Sequence, residues 1–163
     1  VQFLRDPTEA SLSALSADGN GCWDELQAST AHIQQLDGLV ASGNALAAQL
    51  LARHLGSLGG GELGDAHRAL GQFGALHIEE FLHFASSGVL TSRNVADAIT
   101  MLPLEIDENP GAHLEEMLAR RAALERVSDP QLAEIRRVAL AAVDTFIEEI
   151  ERAKAAIDAE SRQ

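Results

Sequence analysis

"LAEIRRVALAAVDTFIEEIERAKAAI", residues 132–157, decides the fold. Leu132, Ile135, Ala139, Ala142, Phe146, Ile150, Ala153 and Ile157 recur there at alternating steps of three and four, which places them on one stripe of an α-helix. The spacing predicts a helix over about 130–160, with Ser128 or Asp129 as cap and Pro130 just inside the first turn. A seam this long needs a partner along its whole length, from the same chain or from a second copy.

Working outward, the segments before this helix read the same way. "RDPTEASLSAL" carries a helix start, with Asp6 as cap, Pro7 at the first position and Glu9 as the capping-box carboxylate of a short helix over about 6–16. From Trp23 to Leu58 the apolar positions Leu26, Ile33, Leu36, Val40, Ala47 and Leu50 keep a helical period. "SGN" at 42–44 either breaks this segment into a hairpin or is tolerated within one helix.

After "GGG" at 59–61, residues 62–85 form a further amphipathic helix, closed by "SSG". Thr91 or Asn94 starts a short helix that Pro103 stops, and a last segment over 112–127 leads into the C-terminal helix. The fold class expected is all-α, a helical bundle of about four main amphipathic helices with one or two short extra helices, in a single domain over 1–163. At 163 residues roughly 70% of the unfolded chain's surface is buried on folding, so a core is available without metal or disulfide.

Composition narrows the partners. Twelve basic against twenty-five acidic residues give a formal charge of −13, which repels nucleic-acid phosphates and anionic lipid. No apolar run reaches the ~20 residues of a membrane span. The expected partners are therefore proteins, with neither nucleic acid nor membrane among them. Cys22 is the only cysteine, so no intramolecular disulfide forms, and a cytoplasmic location is expected. The opening "VQFLRDPTEA" has neither the basic start nor the apolar stretch of a signal peptide, although a first residue other than Met leaves room for a leader already removed.

Candidate chemistry centres on the histidines. Stepping 100° per residue along 62–85 puts His77 within the stripe of Leu63, Ala66, Leu70, Phe73, Phe81 and Phe84, with Glu80 on its flank; Glu79 and His83 fall on the polar side. His54 lies near the centre of the preceding stripe and His32 closer to its edge. A carboxylate brought toward an apolar interior has to be paired, protonated or metal-bound. His77, Glu80, His54 and His32 are thus the candidate ligands of a metal- or cofactor-binding bundle, with iron or zinc as the metal. His32 and His54 share a level only if "SGN" is a true turn. Ferritin-like di-iron proteins need two Glu-x-x-His motifs, and here only "EFLH" at 80–83 matches.

"AHRALGQFGALH" offers a fragment of a phosphotransfer motif, His67 followed by Gly71. Gly71 and Gly74 read more simply as positions where another helix approaches closely. No phosphate loop, dinucleotide fingerprint or nucleophile turn is present, and no complete catalytic set emerges.

The segment "PLEIDENPG" is bounded by prolines and rich in acid, and "HLEEML" follows it. Glu105, Asp107, Glu108, Glu115 and Glu116 are the residues expected to meet a basic protein partner. The function expected first is a protein-protein interaction or regulatory module without catalytic activity or cofactor, working through this acidic surface or through a dimer formed by the C-terminal helix. The metal- or cofactor-binding bundle is the alternative.

Overall fold

The structure, a computed structural model, describes residues 2–17, 21–106 and 109–160, without the side chains of residues 14–17, 21, 22, 110 and 158. Its fold is all-α: ten α-helices and three short 3-10 turns, with no strand among the described residues. In chain order the helices are α1 (Gln2–Arg5), α2 (Glu9–Ala17), α3 (Gly21–Gln27), α4 (Thr30–Ala41), α5 (Ala45–His54), α6 (Gly60–Leu76), α7 (Ile78–Ser86), α8 (Ser92–Thr100), α9 (Pro110–Arg126) and α10 (Ala133–Glu160). Four of them, α4, α6, α9 and α10, run twelve residues or more. The shorter elements outnumber the one or two expected, because two of the long segments break.

The segment 23–58 breaks twice, at 28–29 and again at 42–44. Gly43 turns the chain with φ +92°, where a Cβ is disfavoured, and the Asn44 side chain then caps α5 by accepting from the Ala47 amide at 2.9 Å. The helix expected over 62–85 is likewise two helices. His77 leaves helical geometry at φ −136° and ψ 60°, and its carbonyl accepts from the Phe81 amide to start α7. This bend lets the Phe81 ring close over Gly74, where a Cβ would stand 3.2 Å from the ring. In a straight helix those residues sit about 10 Å apart along the axis.

Local start signals hold in most places. Thr91 accepts from the Asn94 amide at 3.1 Å, Asn109 accepts from Gly111 and Ala112 ahead of α9, and Asp129 accepts from Gln131 at 2.8 Å. The first cap differs from expectation. Thr8, not Asp6, caps α2, accepting from the Ser11 amide at 3.2 Å while the Ser11 hydroxyl accepts from the Thr8 amide at 3.0 Å. Ser11 takes the reciprocal place that a Glu or Gln usually fills.

One cluster of buried apolar residues runs from Phe3 to Ile150. Within it α4 packs on α6, α6 on α8, and α10 lies along both α8 and α9. The C-terminal seam is thus covered by its own chain, with Leu132, Ala139, Val143 and Ile150 buried. The seam thus finds the partner it was expected to need within its own chain as far as Ile150, and Glu151 to Ile157 beyond it are exposed. No helix among the described residues is long and apolar enough to cross a membrane.

Candidate functional site

The residues singled out in the sequence do not converge. His77, expected inside the apolar stripe, is exposed, as is Glu80, because the chain leaves helical geometry at His77; Phe81 beyond the break stays buried and Glu79 and His83 stay exposed, as expected. The two still share a shallow surface cleft, with Glu79 and Arg126 on its walls, and the His77 ring stacks on Phe73 at 5.1 Å. His54 stands elsewhere, half-buried and stacked on Trp23 at 4.2 Å. The indole of Trp23 donates to Ser57 Oγ at 2.8 Å, so this stack ties α3 to the end of α5. Burial and the neighbouring Arg53 hold the His54 imidazole below its ordinary pKa. His32 is half-buried on α4, its Nδ1 enclosed without a hydrogen-bond partner among the described residues. Among the described residues no three His, Cys, Asp or Glu side chains are placed to hold a metal ion.

The acidic candidates are also divided. Glu105, in the 3-10 turn Leu104–Ile106, and Glu115 are exposed, whereas Asp107 and Glu108 lie outside the described residues. Glu116 is no free surface charge: its carboxylate accepts from Arg120 Nε at 2.8 Å, and Arg120 is buried.

A different site forms where α6, α8, α9 and α10 meet, around an open cleft of ≈ 540 Å³. Its size lies within the ~300–1,000 Å³ of small-molecule sites. From α6 come Leu63, Gly64, His67 and Arg68; the end of α8 and the residues after it supply Asp97, Thr100, Met101 and Leu102. His113 of α9 and Phe146 of α10 close the far side. The close approach of α6 and α8 depends on Gly71, where a Cβ would collide with the Ala98 carbonyl oxygen and press on that of Met101 at 3.1 Å.

This junction concentrates cations on the carbonyls that α8 leaves unpaired at its C-terminus, which also form the negative end of its dipole. Arg120, 2% exposed, donates from Nη1 to Ile99 and Met101, at 2.8 and 2.9 Å. Arg68 donates from Nη1 to Leu102 at 2.5 Å. Burial lowers the Arg120 pKa and Glu116 opposes that, leaving a paired cation inside the bundle.

Four buried polar atoms at this junction have no hydrogen-bond partner among the described residues: His67 Nε2, Arg68 Nε, His113 Nε2 and Arg120 Nη2. Such groups are uncommon in native proteins, since each costs about 1–3 kcal/mol when left unpaired. Three of the four belong to residues lining the cleft. His67 is itself 6% exposed. Burial holds its imidazole below the ordinary pKa, with Asp97 and Asn94 pulling the other way. The residues that line the cleft thus include two histidines and an arginine, each with a buried, unpartnered nitrogen among the described residues, together with the apolar Leu63, Met101, Leu102 and Phe146.

Sequence reasoning noted His67 but missed His113 and Arg120. Their signal was present: His113, Met117, Arg120 and Leu124 follow one another by four, three and four, so the buried face of α9 carries an arginine at an apolar position. Compared with known proteins, no family model matches the chain, and neither a curated protein nor a solved structure is significantly similar to it.

Proposed function

We propose that this chain is a non-catalytic regulatory module that takes a small ligand into the cleft between α6, α8, α9 and α10. The observation that carries the reading is the pair of enclosed, unpartnered imidazole nitrogens, His67 Nε2 and His113 Nε2, on two residues that line that cleft. A ligand that pairs them recovers the cost of burying them. Arg68 supplies the regulatory link. It lines the cleft and also holds the Leu102 carbonyl, at the start of the segment that carries Glu105, so its position couples cleft occupancy to an acidic surface.

The test is a fragment screen by NMR on the wild-type chain and on Gly64→Leu. Gly64 lines the cleft, and a Cβ there meets nothing within 4 Å, so the position has room for a side chain, and leucine is chosen to occupy the cleft. Fragments that shift the amides of α6 and α8 in the wild type and not in the variant support the reading. A wild type that binds none of the library, or binds it equally in both proteins, overturns it.

A second reading keeps the protein partner. It is favoured by exposed Glu105 and Glu115 and by the exposure of every residue from Glu151 to Ile157 at the end of α10. A homodimer through these last turns is tested by sedimentation equilibrium across a hundredfold range of concentration. A single monomer mass throughout removes the homodimer.

A further inference from the structure

We propose that the ligand of this cleft is a monocarboxylate with an apolar body, its carboxylate received by Arg68 and the two histidines and its body laid against Phe146 and Leu63. The inference rests on the reading of the cleft as a ligand site and names the chemistry that site selects.

Three features of the cleft narrow the class. The first is an unspent cationic donor: Arg68 Nε is buried and, among the described residues, unpartnered while its Nη1 is engaged by Leu102. A guanidinium N–H seeks an acceptor, and an ionised oxygen gives the stronger bond. His67 and His113 line the same cleft, with their Nε2 atoms also unfilled among the described residues. A carboxylate has two oxygens and about four acceptor positions, enough to satisfy all three groups at once.

The second feature limits the charge. Asp97 lines the same cleft but pairs with Arg93 at 3.6 Å, and Glu116 already neutralises Arg120. Among the described residues that line the cleft this leaves the Arg68 cation without a carboxylate partner, which suits a single negative charge and opposes a phosphate or a dicarboxylate, whose extra charge would be desolvated near Asp97 without a partner. A metal cation is opposed by the same arginine, and no three ligating side chains are placed to hold one among the described residues.

The third feature is the wall. Leu63, Met101, Leu102 and Phe146 line the cleft together with its donors, so the ligand carries hydrocarbon as well as its charge. The arrangement admits an aliphatic chain or a single aromatic ring.

The experiment is isothermal titration of the full chain with matched pairs that differ only in charge: benzoate against benzamide, phenylacetate against phenylacetamide, and hexanoate against hexanamide. Butane-1,4-dioate and inorganic phosphate serve as the polyanions. At least one monocarboxylate is expected to bind about tenfold or more tightly than its amide. Its binding is expected to disappear in Gly64→Leu and to weaken in His113→Ala, with both variants melting within a few degrees of the wild type. Amides that bind as well as the acids, or polyanions that bind better, overturn the class while leaving the cleft a ligand site. If no monocarboxylate binds, the class is likewise overturned, and the fragment screen decides separately whether the cleft takes any ligand. Binding that survives Gly64→Leu overturns the placement.

Discussion

Arg120 of α9 donates from Nη1 to the carbonyl oxygen of Ile99 on α8 at 2.8 Å, deep in a bundle where it is the largest fully buried side chain. The same nitrogen reaches Met101, and Nε reaches Glu116 on its own helix. A buried cation is weak evidence for stability when an apolar residue could replace it together with its partners. Here two of the three partners are backbone carbonyls and cannot be replaced.

Arg120→Met is therefore expected to destabilise the fold by about 3 kcal/mol, because it leaves two carbonyls enclosed without a donor. Glu116→Gln keeps an acceptor beside the guanidinium and is expected to cost about 1 kcal/mol. Urea unfolding followed by circular dichroism measures both. Equal losses in the two variants would mean that the ion pair, and not the hold on α8, is the main contribution.

Glycines on one helix give a paired expectation. At Gly71 a side chain meets the backbone of α8, which cannot move aside as a flexible side chain can, so Gly71→Ala is expected to cost about 2–3 kcal/mol. Four residues after Gly60, Gly64 faces open space, and Gly64→Ala is expected to stabilise by up to about 1 kcal/mol through helix propensity. Thermal unfolding of the two alanine variants should move in opposite directions.

These contacts also explain how far the sequence could be read. Stripe positions such as Leu132, Ala139 and Ile150 carry their burial in their spacing, and the caps Thr91 and Asp129 carry theirs in a local hydrogen bond, so both were legible. Gly71 and Gly74 were legible as close approaches for the same reason: a missing Cβ is visible in the chain itself. The break at His77 was not, because no glycine or proline marks it and its cause is the Phe81 ring seated on Gly74. Beyond it Phe81 is buried and Glu79 and His83 are exposed, as the stripe assigned them, but His77 and Glu80 were expected inside and stand outside. The cleft was hidden for a further reason: His67, Arg68 and His113 come together only through the packing of α6 and α9 around the end of α8.

His77 has a consequence at the turn before α5. A Cβ at Gly43 would stand 2.9 Å from His77 Nε2, and the backbone there is already left-handed at φ +92°. Gly43→Ala is expected to cost about 2 kcal/mol in the wild type, combining the backbone preference with the clash. In the His77→Ala background only the backbone part remains, about 1 kcal/mol. The cycle is thus expected to show a coupling of about 1 kcal/mol. Additive losses would show that the exposed ring moves aside freely.

Asp37 on α4 gives the pH dependence. Its Oδ1 is buried without a hydrogen-bond partner among the described residues, and Asp65 and Glu62 on α6 add negative charge. Burial first, then these two carboxylates, push its pKa from an ordinary 3.8 up to about 7. A carboxyl whose folded pKa is raised binds its proton more tightly in the folded state. Its contribution is fully present below pH 3.8 and is lost as pH rises toward and through 7. Asp37 sits in "HIQQLDGLV", one turn after Ile33 and next to Leu36, so its position on the inward edge of α4 was already written in the stripe. Asp37→Asn cannot ionise, and near pH 4 it is expected to match the wild type closely. By pH 8 it is expected to be more stable by about 1–2 kcal/mol, a figure reduced from the full shift because solvent screens a partly exposed group. Urea unfolding at steps between pH 4 and 8 measures the divergence. A constant difference between the two proteins across that range would show that Asp37 ionises alike in the folded and unfolded chain, and that the proximity of α4 to α6 carries no charge penalty.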